Sequence, residues 1–319
     1  MTFLKKWYIY QKERFPVLIY GIYILAIVLG TFAISNIICN NASSEKLHIY
    51  ASSQLHGAPS LGVVQWIRII PMYIVTFLQF LMVRIIDEFK DYKEDCKYRP
   101  YRPVPRGLIT LKELKILFII CVILQLGITV LVEPIAVIGL IGVWIFFALM
   151  SKNFFIKKFL DKHILIEVIL DELLMPILII YLLRFSIHLN SAYDFYYSNI
   201  NIGDMLPFII MTYIISCIVE IARKVRCKED EEKGVKTYTA VLGINKTIFI
   251  LCMLETIVMI LQLIILGKQY LLLILSSYVV VNVINLLFVI KKNKLFAKLT
   301  EISANLYILI AYFSLLLLL

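Results

Sequence analysis

Residues 84–107 read RIIDEFKDYKEDCKYRPYRPVPRG and lie between two long apolar runs. Five carboxylates, Asp87, Glu88, Asp91, Glu94 and Asp95, crowd into the first half, and prolines and arginines fill the second. In a chain that is 61% hydrophobic, such a segment reads as a polar cap on a membrane-embedded body.

Working outward, the mean hydropathy of +0.88 excludes an ordinary soluble domain. Nine apolar segments recur along 319 residues, at 16–39, 63–86, 112–132, 134–151, 163–183, 204–222, 247–267, 269–290 and 302–319. Backbone in lipid must satisfy its own hydrogen bonds, so these are expected to be helices. Barrel strands are excluded because the segments are too long and lack alternating polarity. The expectation is an all-α, polytopic membrane protein of one domain, 1–319, with nine transmembrane helices.

The 32 Lys and Arg residues fall almost entirely in the N-terminal segment and in alternate connections, with Lys46 and Lys268 nearly alone on the other side. Positive charge resists translocation, so the basic side and the N-terminus are expected in the cytoplasm. The pI of 9.2 then reflects topology and attraction to anionic membrane lipid. No stretch reads as a nucleic-acid-binding module. Residues 1–15, with Trp7, Tyr8 and Tyr10 among Lys5, Lys6, Lys12 and Arg14, read as an amphipathic helix at the cytoplasmic interface.

Six scattered cysteines form no CxxC pair, which argues against a zinc site or disulfide framework. Asn41-Ala42-Ser43 fits a glycosylation acceptor, and His48, His56 and His188 are expected on the outer side. The Lys- and Ile-rich composition and the lack of a transit peptide fit a prokaryotic plasma membrane.

In a helix, at about 100° per residue, Asp87, Asp91 and Asp95 share one face, with Glu94 beside them. Unpaired, such acids repel one another, so a cation is expected among them. Mg²⁺ suits all-oxygen ligation that retains water and a substrate phosphate. The competing reading is a helix end neutralised by Lys90, Lys93 and Lys97. The arginines that follow, Arg99, Arg102 and Arg106, alternate with Pro100, Pro103 and Pro105. Proline stiffens the backbone and guanidinium forks match phosphate oxygens, so metal-binding acids followed by rigid arginines make a diphosphate site.

This stretch, DEFKDYKED running into YRPYRPVPRG, resembles the first signature of the UbiA superfamily of intramembrane prenyltransferases. The resemblance implies a ring of nine helices around a central cavity, with charged cytoplasmic loops after helices 2 and 6, here 87–111 and 223–246. It also implies metal ions that bridge the two loops to an isoprenyl diphosphate. The second loop, EIARKVRCKEDEEKGVKTYTAVLG, resembles the second signature at Gly234, Thr237 and Gly243, with Asp230 at its last aspartate. It departs where Arg223 and Arg226 stand at the two other aspartate positions, and Asp87 stands where Asn is usual in the first signature. A second metal then has Asp230 as its ligand, with Glu229 or Glu220 as further candidates.

The expected activity is Mg²⁺-dependent transfer of an isoprenyl group to a hydrophobic or aromatic acceptor within the membrane. Asp87, Asp91 and Asp95 hold metal, joined by Asp230, while Arg102, Arg106, Lys157, Arg223 and Arg226 bind the diphosphate. Lys157 also reads as a positive-inside anchor, and Arg223 as the partner of Glu220 one turn earlier. Asp171 and Glu172, ionisable in an apolar segment with Pro176 nearby, mark the acceptor side or an internal pair. Two rivals remain: a terpene cyclase of the same fold, and a non-enzymatic carrier of ions or organic phosphates.

Overall fold

A computed structural model describes residues 2–50, 63–190, 202–232 and 234–319, with all their side chains except those of 39–50, 63–68, 187–190, 202 and 204. The expectations for Asn41, His48, His56 and His188 fall outside those described residues and side chains. Among the described residues the regular structure is helical and contains no strand. The helices are α1 (Phe3–Arg14), α2 (Val17–Tyr50), α3 (Val63–Lys90), α4 (Tyr92–Tyr98), α5 (Leu111–Val132), α6 (Val137–Ser151) and α7 (Lys157–Leu160). They continue as α8 (Ile164–Asp171), α9 (Leu174–Asn190), α10 (Ile202–Arg223), α11 (Tyr238–Leu242), α12 (Ile244–Leu266), α13 (Leu271–Lys291) and α14 (Lys294–Ser314).

Among the described residues, eight stretches are long and apolar enough to cross a membrane: Val17–Ile38, Ile69–Lys90, Leu111–Val132, Pro134–Ser151, Met205–Arg223, Ile244–Leu266, Lys268–Lys291 and Lys294–Leu318. They coincide with eight of the nine expected segments. The ninth, 163–183, was expected as one helix and is two, α8 and α9, parted at Glu172 and Leu173. Pro176 explains the interruption. It has no N–H to give the Glu172 carbonyl, which accepts from Met175 N–H instead (3.0 Å). The Ile169 carbonyl near the end of α8 accepts from the Tyr213 hydroxyl of α10 (3.0 Å), so this helix end does not leave it orphaned.

The helices gather into two compact units, Met1–Phe155 with Ile180–Ile200, and Ile156–Ile179 with Asn201–Leu319. In the first unit α3 packs on α2, α5 and α6. Its interior polar groups answer one another: Trp144 Nε1 donates to Gln125 Oε1 (3.0 Å), Thr129 bonds Tyr181 (2.8 Å) and Ser35 bonds Ser186 (2.6 Å). In the second unit α12 lies between α10 and α13, and α14 packs on α13 and α10. There Glu255 of α12 is fully buried, and both its carboxyl oxygens accept from the Asn285 amide of α13 (2.9 and 3.2 Å).

The N-terminal helix differs from a simple amphipathic one. Tyr10 is buried and Trp7 packs beside it, whereas Leu4 and Tyr8 are 79% and 62% exposed. The helix is therefore apolar on two faces, one against the protein and one turned outward.

Candidate active site

The acidic end of α3 keeps the spacing read from the sequence. The helix stops at Lys90, but its hydrogen-bond ladder runs on. Asp91 N–H donates to the Asp87 carbonyl (2.9 Å), Asp95 N–H to Asp91 (2.9 Å) and Arg99 N–H to Asp95 (2.8 Å). The three aspartates thus remain in one row through the bend at Asp91 into α4.

Their charges are met unequally. Glu88, 1% exposed, accepts from Arg14 Nε of α1 and lies 3.4 Å from Arg84 Nη2. Arg84 also reaches Asp87 at 3.5 Å. Asp95 is buried and carries Arg102 Nη1 at 2.6 Å and Arg99 Nη1 at 3.6 Å. Asp91 is half-buried, and among the described residues no side chain pairs with its carboxylate. Burial first, then the charges of Asp87 and Asp95, push the Asp91 carboxyl up to about 6. No group of three or more His, Cys, Asp or Glu among the described residues could hold a metal by itself. A hard cation at Asp91 would therefore need water or substrate oxygens as well, the usual habit of Mg²⁺.

The following loop is folded tightly by its own sequence. Arg102 N–H donates to the Arg99 carbonyl and Arg106 N–H to the Arg102 carbonyl (both 3.0 Å). The Pro103 carbonyl accepts from Leu108 N–H (2.9 Å), a reversal that Gly107 permits with φ +76°. Val104 and Ile109 drop into a buried cluster with Ile85 of α3, Leu114 of α5 and Tyr10 of α1. Arg106 donates to Glu13 of α1 (2.8 Å) and to the Tyr101 carbonyl (2.8 Å). The loop ends in a capping box, Thr110 with Glu113, and Lys6 of α1 pairs with the same Glu113.

The second loop lies in the second unit. Arg223 pairs with Glu220 of its own helix, and Lys224 pairs with that carboxylate at 2.6 Å. The Arg226 backbone N–H donates to Thr239 Oγ1 (3.0 Å), and its guanidinium lies 3.9 Å from Glu301 of α14. Asp230 accepts from Lys294 (2.7 Å), which holds its carboxyl below the usual range. Thr237 caps α11, accepting from Ala240 N–H (3.0 Å), and Gly243 closes that helix with φ +84°. Those roles account for two of the signature positions physically. Lys157 opens the short α7 and is exposed.

Tyr10 and Arg14, legible in the sequence only as parts of an interfacial helix, come to the first loop together with Glu13, and neither Glu13, Arg84 nor Glu255 stood out in the sequence. The partners of Arg84 were legible all the same, because Asp87 and Glu88 follow at helical i+3 and i+4 spacing. The partner of Arg14 was not, since it meets Glu88 across 74 residues.

Among the described residues, membrane-length apolar helices together with an acid-rich helix end and a proline-braced arginine loop define a polytopic membrane protein with a charged polar site. A sequence profile of the UbiA prenyltransferase family matches residues 57–313, and the chain belongs to that family of prenyltransferases. A structure of a digeranylgeranylglyceryl phosphate synthase is similar, with TM-score 0.52 and 19% identity over 94% of this chain and 97% of that one. The apo structure of a UbiA homolog from Aeropyrum pernix K1 is also similar, with TM-score 0.57 and 10% identity over 91% of this chain and 96% of that one. At such identities the two structures show the shared fold alone. No curated protein sequence matches the chain.

Proposed function

We propose that the protein transfers an isoprenyl group from an isoprenyl diphosphate to a hydrophobic or aromatic acceptor in the membrane, supported by Mg²⁺. The observation that carries this reading is the open carboxylate of Asp91, set between Asp87 and Asp95 and followed by a rigid arginine loop. Its raised pKa is what a site built to receive a cation displays when only protein charges surround it.

In this reading Asp87 and Asp91 hold Mg²⁺, and Asp95 serves the site by fixing Arg102 and Arg99. The metal, when bound, supplies charge neutralisation to the departing pyrophosphate. Arg102 and Arg106 present donors to phosphate oxygens from a backbone that the prolines hold still. Stabilising the charge that develops on the leaving group is the main catalytic contribution, and it is preorganised here. The C–O bond to the diphosphate breaks, the allylic cation is captured by the acceptor, and the acceptor gives up a proton. Arg223 and Arg226 take the place of metal-binding acids and, with Lys157, bind phosphate oxygens, while Asp230 remains the acid for a second metal. The active face is the basic, cytoplasmic one.

The test is pyrophosphate release from an isoprenyl diphosphate by protein in membranes, with and without Mg²⁺ and candidate acceptors. Release that needs both Mg²⁺ and an acceptor supports the transferase. Efficient release without an acceptor, giving a hydrocarbon or terpene alcohol, would replace it with a cyclase. No release under any condition would sink both.

A further inference from the structure

The buried guanidinium of Arg14 is anchored at one end only. Its Nε donates to Glu88, its side chain is 9% exposed, and its Nη2 is a buried donor with no hydrogen-bond partner. Two more buried donors share this condition: Nε of Arg84, which also reaches Glu88, and the hydroxyl of Tyr10. Donors in excess of acceptors therefore surround one carboxylate. Leaving buried donors without acceptors is costly, because each has lost its water partners and gained none. The shortage is of an acceptor, and the chemistry it calls for is an anionic oxygen.

The location narrows the anion. Arg102 is near enough that burial and then the charge of Arg14 lower its basicity, against the pull of Asp95. Two guanidinium groups near enough to repel each other favour a negative group with several oxygens beside them. The Arg14 head is also held in place. Tyr10 enters the cluster under the first loop, Lys6 pairs with Glu113, and Phe15 packs edge-on against Phe77 with ring centroids 5.3 Å apart. A donor so fixed loses little freedom on binding.

We propose that Arg14, from the N-terminal helix, is a further diphosphate-binding residue, donating through Nη2 to a phosphate oxygen while its Nε stays on Glu88. This rests on the reading of the first loop as the diphosphate site. The helix α1 then belongs to the substrate site as well as to the membrane interface.

The test is calorimetric binding of inorganic pyrophosphate with Mg²⁺ to the full chain in nanodiscs. The wild type is compared with Asp91→Asn, Arg14→Ala, Arg14→Lys and Lys6→Ala. Arg14→Ala is expected to weaken binding by roughly tenfold to a hundredfold, the size of a charge-assisted hydrogen bond. Arg14→Lys keeps a charge for Glu88 but loses the fork, so it should recover only part of the affinity and covers the case in which Ala fails to fold. Lys6→Ala loosens the other end of the same helix without removing a phosphate donor, so it should cost far less affinity than Arg14→Ala. Arg14→Ala or Arg14→Lys binding as the wild type does would overturn the proposal, as would an equal loss in Lys6→Ala, which would make α1 only a brace. A wild type that binds no pyrophosphate, or binds it equally with Asp91→Asn, would remove the diphosphate reading itself.

Discussion

Asp91 and Asp95 sit one helical turn apart and differ in every neighbour that sets their chemistry. Asp95 is buried against Arg102, whereas burial and the charges of Asp87 and Asp95 outweigh the pull of Lys90 on Asp91 and push its carboxyl up to about 6. A raised carboxyl pKa stabilises the fold below the unfolded value, about 4, and that contribution is lost as pH rises through about 6. At pH 7 Asp91 therefore opposes folding until a cation arrives. Asp91→Asn is expected to abolish pyrophosphate release yet melt no lower than the wild type without Mg²⁺. Adding Mg²⁺ should raise the melting temperature of the wild type only. Near wild-type turnover in Asp91→Asn would end the assignment. Activity should also fall on the acid side near pH 6, and a flat profile from pH 5 to 8 would contradict Asp91 as a metal ligand. Arg102→Ala acts oppositely, leaving Asp95 buried with Arg99 alone, for a stability loss of about 3 kcal/mol by denaturant unfolding.

Elements show where sequence reading succeeds and where it stops. The four-residue spacing of Asp87, Asp91 and Asp95 survives as a backbone ladder because helical periodicity is local. Partner choice is not local. The sequence offers Lys90, Lys93 and Lys97 beside the acids, but the buried pairs come from arginines, Arg14 among them. The α8–α9 interruption was half-legible, since Pro176 marks it while the break falls just before, at Glu172 and Leu173. Tyr10→Ala removes the α1 contribution to the cluster under the first loop, a core truncation of about 3–5 kcal/mol. Proteolysis within 99–107 should then accelerate several-fold in folded protein, and unchanged cleavage would show that α1 does not hold that loop. Pro176→Ala returns an N–H to the Glu172 carbonyl, so amide exchange at Leu173 and Leu174 should slow.

For the molecule as a whole, the fold class and family were readable because both rest on hydrophobic length and one dense motif. The division into two compact units was not, since no composition shift marks a boundary that runs through α9. Nor was Glu255, a single carboxylate inside an apolar run, until its Asn285 partner came from another helix. The arginines of the second loop give a test at this scale. If Arg226 contributes charge that its family signature would draw from metal, Arg226→Asp should raise the Mg²⁺ concentration needed for half-maximal activity. Asp230→Asn should harm activity less than Asp91→Asn, because Lys294 already occupies Asp230. An unshifted Mg²⁺ curve for Arg226→Asp would assign that arginine to Glu301 and the packing of its loop.

The two-faced character of α1 has an optical consequence. Trp7 lies edge-on to Tyr10 at 5.8 Å, on the side of the helix that meets the protein, one turn from Leu4 on the outward side. Its indole emission is therefore a built-in gauge of whether α1 is seated. With Trp66 and Trp144 replaced by Phe, lipids brominated near the headgroup should quench Trp7 weakly in the otherwise intact protein and strongly once Tyr10→Ala lets the helix roll. The seating of the N-terminal helix becomes something a fluorimeter can follow without any label.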